Sequence, residues 1–496
     1  MKDTTISDIS VAGKVKSSSS SVGETEKAGY TVTVRVQVVK GARLLDEIME
    51  LVEAAGGTIG SVTPVRNKHG EQETHNLRDI RFTVTDSEHG EQVIAQMKQL
   101  QNVEVVAASD RTFLMHLGGK ITISPCSEIK TDDTLSMIYT PGVARVCTAI
   151  YKDPSKARSL TIKGKSVAVI TDGSRVLGLG NIGPLASLPV MEGKAALFKR
   201  FGNVDAFPLP LATQDTEEII RTIKAVAPVF GAINLEDIAS PRCYEIEERL
   251  KHELDIPVFH DDQHGTAVVV AAATKNAARL TKKRLSTMKV VVVGVGAAGM
   301  ACAELILALG VKNLIGFNIK GAVHRDRTDL TAQEAQFAQK SNPRNFKGTI
   351  EEALVGADMV LGLSIGGSIK PVWLAKMKKN AICFALANPV PEVLPKDAKP
   401  YVAVMATGGS NYPNQINNAL VFPGIFRGAL DAEVSDISYE MQLEAAHALA
   451  GVVSKAELDY DKIIPSVFDE TAHAAVAEAV RRVAKRNKLG RYREEQ

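Results

Sequence analysis

At 496 residues the chain is long enough for two to four domains. Hydrophobic residues make up 45% and charged residues 23%, an ordinary globular mixture, and a formal charge of +2 gives no electrostatic basis for binding nucleic acid or an anionic membrane. No apolar run is long enough to span a bilayer, and the N-terminus has no hydrophobic signal region. The five cysteines, Cys126, Cys147, Cys243, Cys302 and Cys383, are scattered. That argues against a disulfide framework or a cysteine zinc site and for the cytoplasm.

Residues 1–27 are polar, with a serine run from Ser17 to Ser21, and are expected to form a disordered tail because they offer little apolar surface to offset ordering entropy. A folded unit is expected over 28–112. Val32, Val34, Val36 and Val38 alternate with polar residues as in a half-buried strand, and Leu45, Ile48 and Val52 follow at helical spacing up to Gly56-Gly57. A short strand near Thr58–Val62 follows, then Ile80, Phe82 and Val84 alternate in another. Val93, Ile94, Met97 and Leu100 line a second helix, and Val103–Ala107 supply a last strand. The order βαββαβ is that of a ferredoxin-like split unit.

From 166 to 270 the pattern becomes α/β. Apolar strands are expected at 166–170, 204–208, 229–233 and 256–259, and helices at 188–200, 215–226, 241–254 and 265–280. Such alternation implies parallel strands with crossover helices. A second α/β unit opens at strand Lys289–Val293, and helices near 437–453 and 469–486 finish the chain. The expected division is 113–284 for a catalytic α/β domain and 285–496 for a Rossmann domain with C-terminal helices.

Strand 289–293 runs into Gly294-Val295-Gly296-Ala297-Ala298-Gly299 and then a helical run. This is G-x-G-x-x-G in a strand–turn–helix context, the fingerprint of a bound dinucleotide. Gly294 allows the turn, Gly296 the approach of the pyrophosphate, Gly299 close helix packing, and Ala298 lies within the same turn. The next strand ends at Asn318, where an acidic residue would hold the adenosine ribose of NAD. Asn318 cannot repel a 2′-phosphate, and Lys320, His324, Arg325 and Arg327 follow, so the reading inclines to NADP over NAD.

Strands of the first α/β unit end in polar clusters: Thr171-Asp172-Gly173-Ser174-Arg175, Asn234-Leu235-Glu236-Asp237 and His260-Asp261-Asp262-Gln263-His264-Gly265. The carboxyl edges of parallel strands share one crevice. Glu236, Asp237, Asp261 and Asp262 would converge there with Arg175. Several carboxylates in one cleft call for a cation, and oxygen-only ligands suit Mg²⁺ or Mn²⁺. Adjacent acids after strands also serve as helix N-caps. His260 and His264 are read as structural rather than as ligands.

The stretches Tyr139–Ala144, Thr171–Lys194 (TDGSRVLGLGNIGPLASLPVMEGK), Asn234–Asp237, Phe259–Ala267 (FHDDQHGTA), Ala387–Glu392 and Gln415–Asn418 together resemble the malic enzyme family. The N-terminal unit resembles an ACT domain, on pattern more than on motif. The resemblance implies oxidation of (S)-malate, decarboxylation and protonation to pyruvate. It implies Lys194 as general base, Tyr139 as acid, and Asp261 beside Lys194, tuning it. Glu236, Asp237 and Asp262 would hold the metal. Arg175, Asn388 and Asn418 would contact malate, with Asn417 nearer the nicotinamide. An ACT domain implies pairing into a homodimer or higher homo-oligomer, and a small effector near the turn Lys40-Gly41-Ala42; oligomerisation without a ligand is the alternative. Competing readings are a malolactic-type enzyme that retains its cofactor, an ACT-containing amino-acid dehydrogenase, and a non-catalytic ACT-containing sensor.

Overall fold

This computed structural model describes residues 30–38, 44–64, 76–101 and 103–490. The expected tail at 1–27 and the turn Lys40-Gly41-Ala42 lie outside them. Two units divide the chain, 1–120 and 121–496.

In the first unit the elements are β1 (Tyr30–Val38), α1 (Leu44–Ala54), β2 (Thr58–Pro64), β3 (Asn76–Val84), α2 (Ser87–Met97) and β4 (Val103–Asp110). The strands form an antiparallel sheet in the order β2-β3-β1-β4. Alternation puts Val32, Val34 and Val36 on one face, where they bury with Ile48 and Val52 of α1, Ile80 and Phe82 of β3, and Val93 and Met97 of α2. Gly56, at φ +81°, turns the chain after α1 so that the Gly57 N–H donates back to the Val52 carbonyl.

The second unit begins with α3 (Asp132–Ile138) and α4 (Val143–Lys152), neither of which buries a side chain. There follow β5 (Ser166–Thr171), α5 (Gly183–Leu197), β6 (Asp205–Pro210), α6 (Thr216–Val226), β7 (Ala232–Leu235), α7 (Arg242–Glu253), β8 (Val258–His260) and α8 (Asp261–Leu280). These strands are all parallel, in the order β6-β5-β7-β8. Every residue of β5 is buried, as expected for a central strand covered on both faces.

A second sheet is built from β9 (Lys289–Val293), α9 (Ala297–Ala308), β10 (Asn313–Asn318), β11 (Gly321–Ala322), α10 (Ala332–Lys340), β12 (Met359–Gly362), β13 (Ala381–Ala385) and β14 (Val402–Thr407). Its order is β11-β10-β9-β12-β13-β14, parallel except for the short β10–β11 hairpin. The order reverses at β9, which makes the crevice after β9 the place where such a sheet binds ligands. Helices α11 (Phe422–Asp431), α12 (Tyr439–Val452) and α13 (Glu470–Arg486) close the chain. One apolar cluster takes in Val167 and Val169 of β5, Val290 and Val292 of β9, and Val268, Val269 and Ala272 of α8, so both sheets share a core through α8. No helix among the described residues is long and apolar enough to cross a membrane.

Two helices start earlier than the periodicity suggests. α5 begins at Gly183 rather than 188, with Pro184 in its first turn, where the missing N–H costs nothing. α8 begins at Asp261 rather than 265, because carboxylates in a first turn are favoured by the positive end of the helix dipole. Asp261 and Asp262 therefore stand on a helix and not in a loop.

Candidate active site

Lys194 projects from α5 into the interior and is only 6% exposed. Its Nζ lies 2.5 Å from Asp261 Oδ2 and 2.6 Å from Glu236 Oε2, with the Phe422 ring centroid 4.3 Å away. Glu236 follows β7 and is held there by its own N–H donating to the Ile170 carbonyl and by Asn234 Nδ2 donating to Oε2 at 2.9 Å. Asp237 takes a left-handed φ of 53°, and its N–H donates to Asp262 Oδ2 at 2.7 Å. Asp237 Oδ2 and Asp261 Oδ1 are buried with no protein hydrogen-bond partner.

Charge in this cluster is unbalanced. Burial opposes the ammonium of Lys194, but the Asp261 and Glu236 carboxylates overcome it and hold the pKa above that of a free lysine. Burial raises the acids in turn, helped by mutual repulsion: Glu236 well above the usual range, Asp237 to about 8 and Asp261 to about 6. One ammonium cannot neutralise several carboxylates, so the remainder repel one another.

The cluster rests on buried polar supports that the sequence reading passed over. Asp172, fully buried, accepts two bonds from the Arg242 guanidinium (2.9 and 2.7 Å) and one from the Ser174 hydroxyl (2.5 Å), whose oxygen in turn accepts the Ala239 N–H. Glu247 on α7 accepts the His260 N–H at 3.2 Å and faces His264 Nε2 at 2.9 Å and Lys251 Nζ at 2.9 Å. It thereby pins the start of α8 where Asp261 sits. This agrees with the structural reading of His264; the His260 ring is buried and makes no protein hydrogen bond. Gly265, one turn along α8, has no room for a Cβ, which would collide with Asp261 Oδ1. A signal for Glu247 existed: Cys243, Ile246 and Leu250 mark the buried face of α7, and Glu247 falls on it.

At the end of β9 the three fingerprint glycines differ in surroundings. Gly294 has φ +100° and packs on the Leu363 carbonyl, while a Cβ on Gly299 would strike the Gly294 carbonyl. Gly296 faces open space, and α9 begins beside it without a side-chain cap. Its first N–H groups, Ala298 among them, are free for an anion. Asn318 ends β10 with Nδ2 donating to Glu334 Oε1 on α10 at 2.8 Å, while Arg327 Nη1 donates to Asn318 Oδ1 at 2.9 Å. Arg327 also pairs with both Asp329 oxygens, and Lys320 with one of them at 3.1 Å.

Of the other expected residues, Arg175 is exposed; its backbone N–H is fixed on the Asp237 carbonyl and its charge acts on the Asp237 carboxylate. Asn418 Cβ lies within van der Waals contact of where a Gly265 Cβ would stand, beside Asp261, and Asn417 caps the same short turn by accepting the Ala419 N–H. Asn388 is exposed, and its loop is held by the fully buried Glu392, which accepts the Ala387 and Ser364 N–H groups at 3.0 and 2.7 Å. Tyr139 is 70% exposed at the end of α3. Glu236, Asp237 and Asp262 are neighbours, and Glu236 is turned onto Lys194; among the described residues no three or more His, Cys, Asp or Glu already converge on one point as metal ligands would.

Glu247 gives a pH test. Burial raises its pKa, but His264 and Lys251 outweigh this and hold it below the ordinary carboxylate range. Its stabilising contribution is therefore complete above the unfolded value of about 4.3 and is lost as pH falls through the lower folded value. Glu247→Gln should lower the thermal midpoint at pH 7, with the gap to wild type narrowing from about pH 5 towards pH 3. A gap independent of pH would show that charge is not what Glu247 contributes.

Comparison with known proteins places the chain in a family. The family description "Malic enzyme, N-terminal domain" matches residues 118–218 and 212–251, and "Malic enzyme, NAD binding domain" matches 263–485. An NAD-dependent malic enzyme of Geobacillus stearothermophilus is 51% identical over 464 residues, covering 94% of this chain and 96% of its own. A bifunctional malic/malolactic enzyme of Bacillus subtilis is 47% identical, covering 74% of this chain and 90% of its own. Among solved structures, a malic enzyme from Pyrococcus horikoshii superposes with a TM-score of 0.73 at 46% identity, covering 76% of this chain and 89% of that one. With both family segments matched and relatives aligned over nearly their full length, the chain belongs to the malic enzyme family.

Proposed function

We propose that this protein catalyses the metal-dependent oxidative decarboxylation of (S)-malate to pyruvate and CO₂ with reduction of a nicotinamide dinucleotide. The observation that carries the proposal is Lys194, buried on α5 with its Nζ in contact with Asp261 and Glu236. In this reading Lys194 takes the C2 hydroxyl proton, and Asp261 orients it and sets its basicity. Arg175 offers a planar fork to a malate carboxylate, with Asn388 and Asn418 completing the substrate contacts. Tyr139 returns a proton to C3. Gly294, Gly296, Ala298 and Gly299 receive the pyrophosphate on the N-terminus of α9, Asn318 adjoins the adenosine ribose, and Asn417 lies towards the nicotinamide.

The acidic residues fit a divalent cation in kind: the donors are all oxygen, Asp237 Oδ2 lacks a protein partner, and burial, with repulsion between the acids, raises the pKa values of Glu236 and Asp237. Glu236, Asp237 and Asp262 would hold Mg²⁺ or Mn²⁺, which when bound polarises the C2 oxygen and stabilises the negative charge left as CO₂ departs. A cation sharing Glu236 would remove one of the two counter-charges that keep Lys194 protonated.

The side-chain pairings weigh against the inclination to NADP. Arg327 and Lys320 both pair with Asp329, whose single charge offsets one of them, and Glu334 places a further carboxylate on Asn318. A 2′-phosphate would meet negative charge there, so we favour NAD.

The first unit we read as a ferredoxin-like ACT-type module, a fold its strand order and its two helices on one buried face support; binding a small effector, or oligomerisation without one, is the role we propose for it. Apolar side chains left exposed on and beside α3, among them Met137, Ile138 and Tyr139, support a homo-oligomer. Cysteines that are all free support a cytoplasmic location. The name of the Bacillus subtilis relative favours one further reading, in which lactate is also released.

Malate with Mn²⁺ and NAD⁺ should yield pyruvate and NADH one to one, and Lys194→Ala should cost on the order of 10²–10⁴-fold in kcat. Lactate without net NADH would instead establish the malolactic reading. NAD⁺ should be preferred about tenfold or more in kcat/KM, and Glu334→Gln should narrow the ratio; a preference for NADP⁺ would restore the basic-loop reading. Removing metal with EDTA should abolish turnover, and Mn²⁺ at about 100 times its Kd should raise stability by about 2.7 kcal/mol in wild type but not in Asp237→Asn. An equal rise in both would exclude Asp237 as a ligand.

A further inference from the structure

At the opposite end of α8 from Asp261, roughly 20 Å along the helix axis at 1.5 Å per residue, the surface is indented by a recess of about 420 Å³. Four of its lining residues are cations, Lys275 and Arg279 on α8 and Lys283 and Arg284 on the loop that follows, and no lining residue is acidic. Ala278 and Leu285 supply apolar wall.

Basic residues near a helix C-terminus are common because they complement its carbonyls, and part of this cluster is accounted for in that structural way. Lys283 reaches out of the recess to Asp358 Oδ1 at 2.9 Å and to the Lys379 carbonyl. Lys275 Nζ lies 2.6 Å from His447 Nδ1 on α12, half-buried and feeling Glu444 as its nearby acid. The two arginines are not accounted for. Arg279 spends a single N–H on Asn276 Oδ1, and the Arg284 guanidinium has no hydrogen-bond or ion-pair partner among the described residues. Both are exposed, and the hydroxyl of Ser286 lines the same recess. Like charges gathered around a concavity repel unless an anion joins them, and paired guanidinium forks match the oxygens of a tetrahedral oxyanion.

We propose that this recess binds a phosphate group, held by Arg279 and Arg284 with Lys275 behind them, and that the ligand is a small phosphorylated molecule whose body lies on Ala278 and Leu285. The site is separate from the dinucleotide turn at Gly294–Gly299 and from the carboxylate cluster.

The test is calorimetric titration of the full-length protein, with the dinucleotide site saturated by NAD⁺, using inorganic phosphate, AMP and adenosine as probes at fixed ionic strength. Inorganic phosphate and AMP should bind and adenosine should not. Arg279→Ala/Arg284→Ala should weaken both by at least about tenfold, the order expected for losing charge-assisted bonds, while kcat for malate and the affinity for NAD⁺ stay unchanged. Ser286→Glu, which adds charge without removing a side-chain contact, should do the same. AMP binding more tightly than inorganic phosphate identifies a phosphate ester as the ligand class; equal binding identifies the free oxyanion and removes the role given to the apolar wall. Binding of both probes undiminished in the arginine variant, or no phosphate signal beyond that of sodium chloride, overturns the site.

Discussion

Lys194 sits where its charge is surrounded by carboxylates and shut away from water, and much of the second unit exists to keep it there. Burying an ammonium is costly unless partners satisfy it, and breaking such a pair leaves an uncompensated charge in the interior. Asp261 and Glu236 provide that satisfaction at 2.5 and 2.6 Å. They arrive from different elements, one from the first turn of α8 and one from the end of β7, so the pair constrains how sheet and helix are joined. Phe422 closes the remaining side with a ring face, which tolerates a cation. An ammonium held this way is fixed in place before any ligand arrives, the kind of arrangement that preorganised sites use.

Around that centre lies a layer of buried acids whose work is positional. Asp172 gathers Arg242 and Ser174, Glu247 gathers the start of α8, and Glu392 gathers two loop amides near Asn388. Each removes an unpaired polar group from the interior while fixing a segment that bears a site residue. Gly265 contributes by subtraction, since any side chain there would occupy the space of the Asp261 carboxylate.

Much of this was legible in the residues. Alternating valines marked β1, unbroken apolar runs marked β5 and β9, and the three glycines after β9 take the distinct surroundings that a dinucleotide turn requires. Both acidic pairs do meet Lys194's neighbourhood. Less legible were the supports, because Glu247 in sequence looks like any acid on a charged helix, and its burial depends on partners thirteen or more residues away, at and just before the start of α8. The start of α8 was misjudged because His-Asp-Asp reads as a polar loop until the helix dipole is weighed. Cofactor preference was hard to read for a related reason: the cations after Asn318 were visible, but their pairing with Asp329 and the reach of Glu334 from α10 are three-dimensional facts.

The join between α5 and α8 has a mechanical consequence. Lys194 stands on α5 and Asp261 in the first turn of α8, the helix through which the two sheets share their apolar core. With Glu236 beside it, this contact ties α5 to that shared helix by charge as well as by packing. Any displacement of α8 against α5 would separate opposite charges in the interior, so the seating of that helix and the ionisation of Lys194 are one property rather than two.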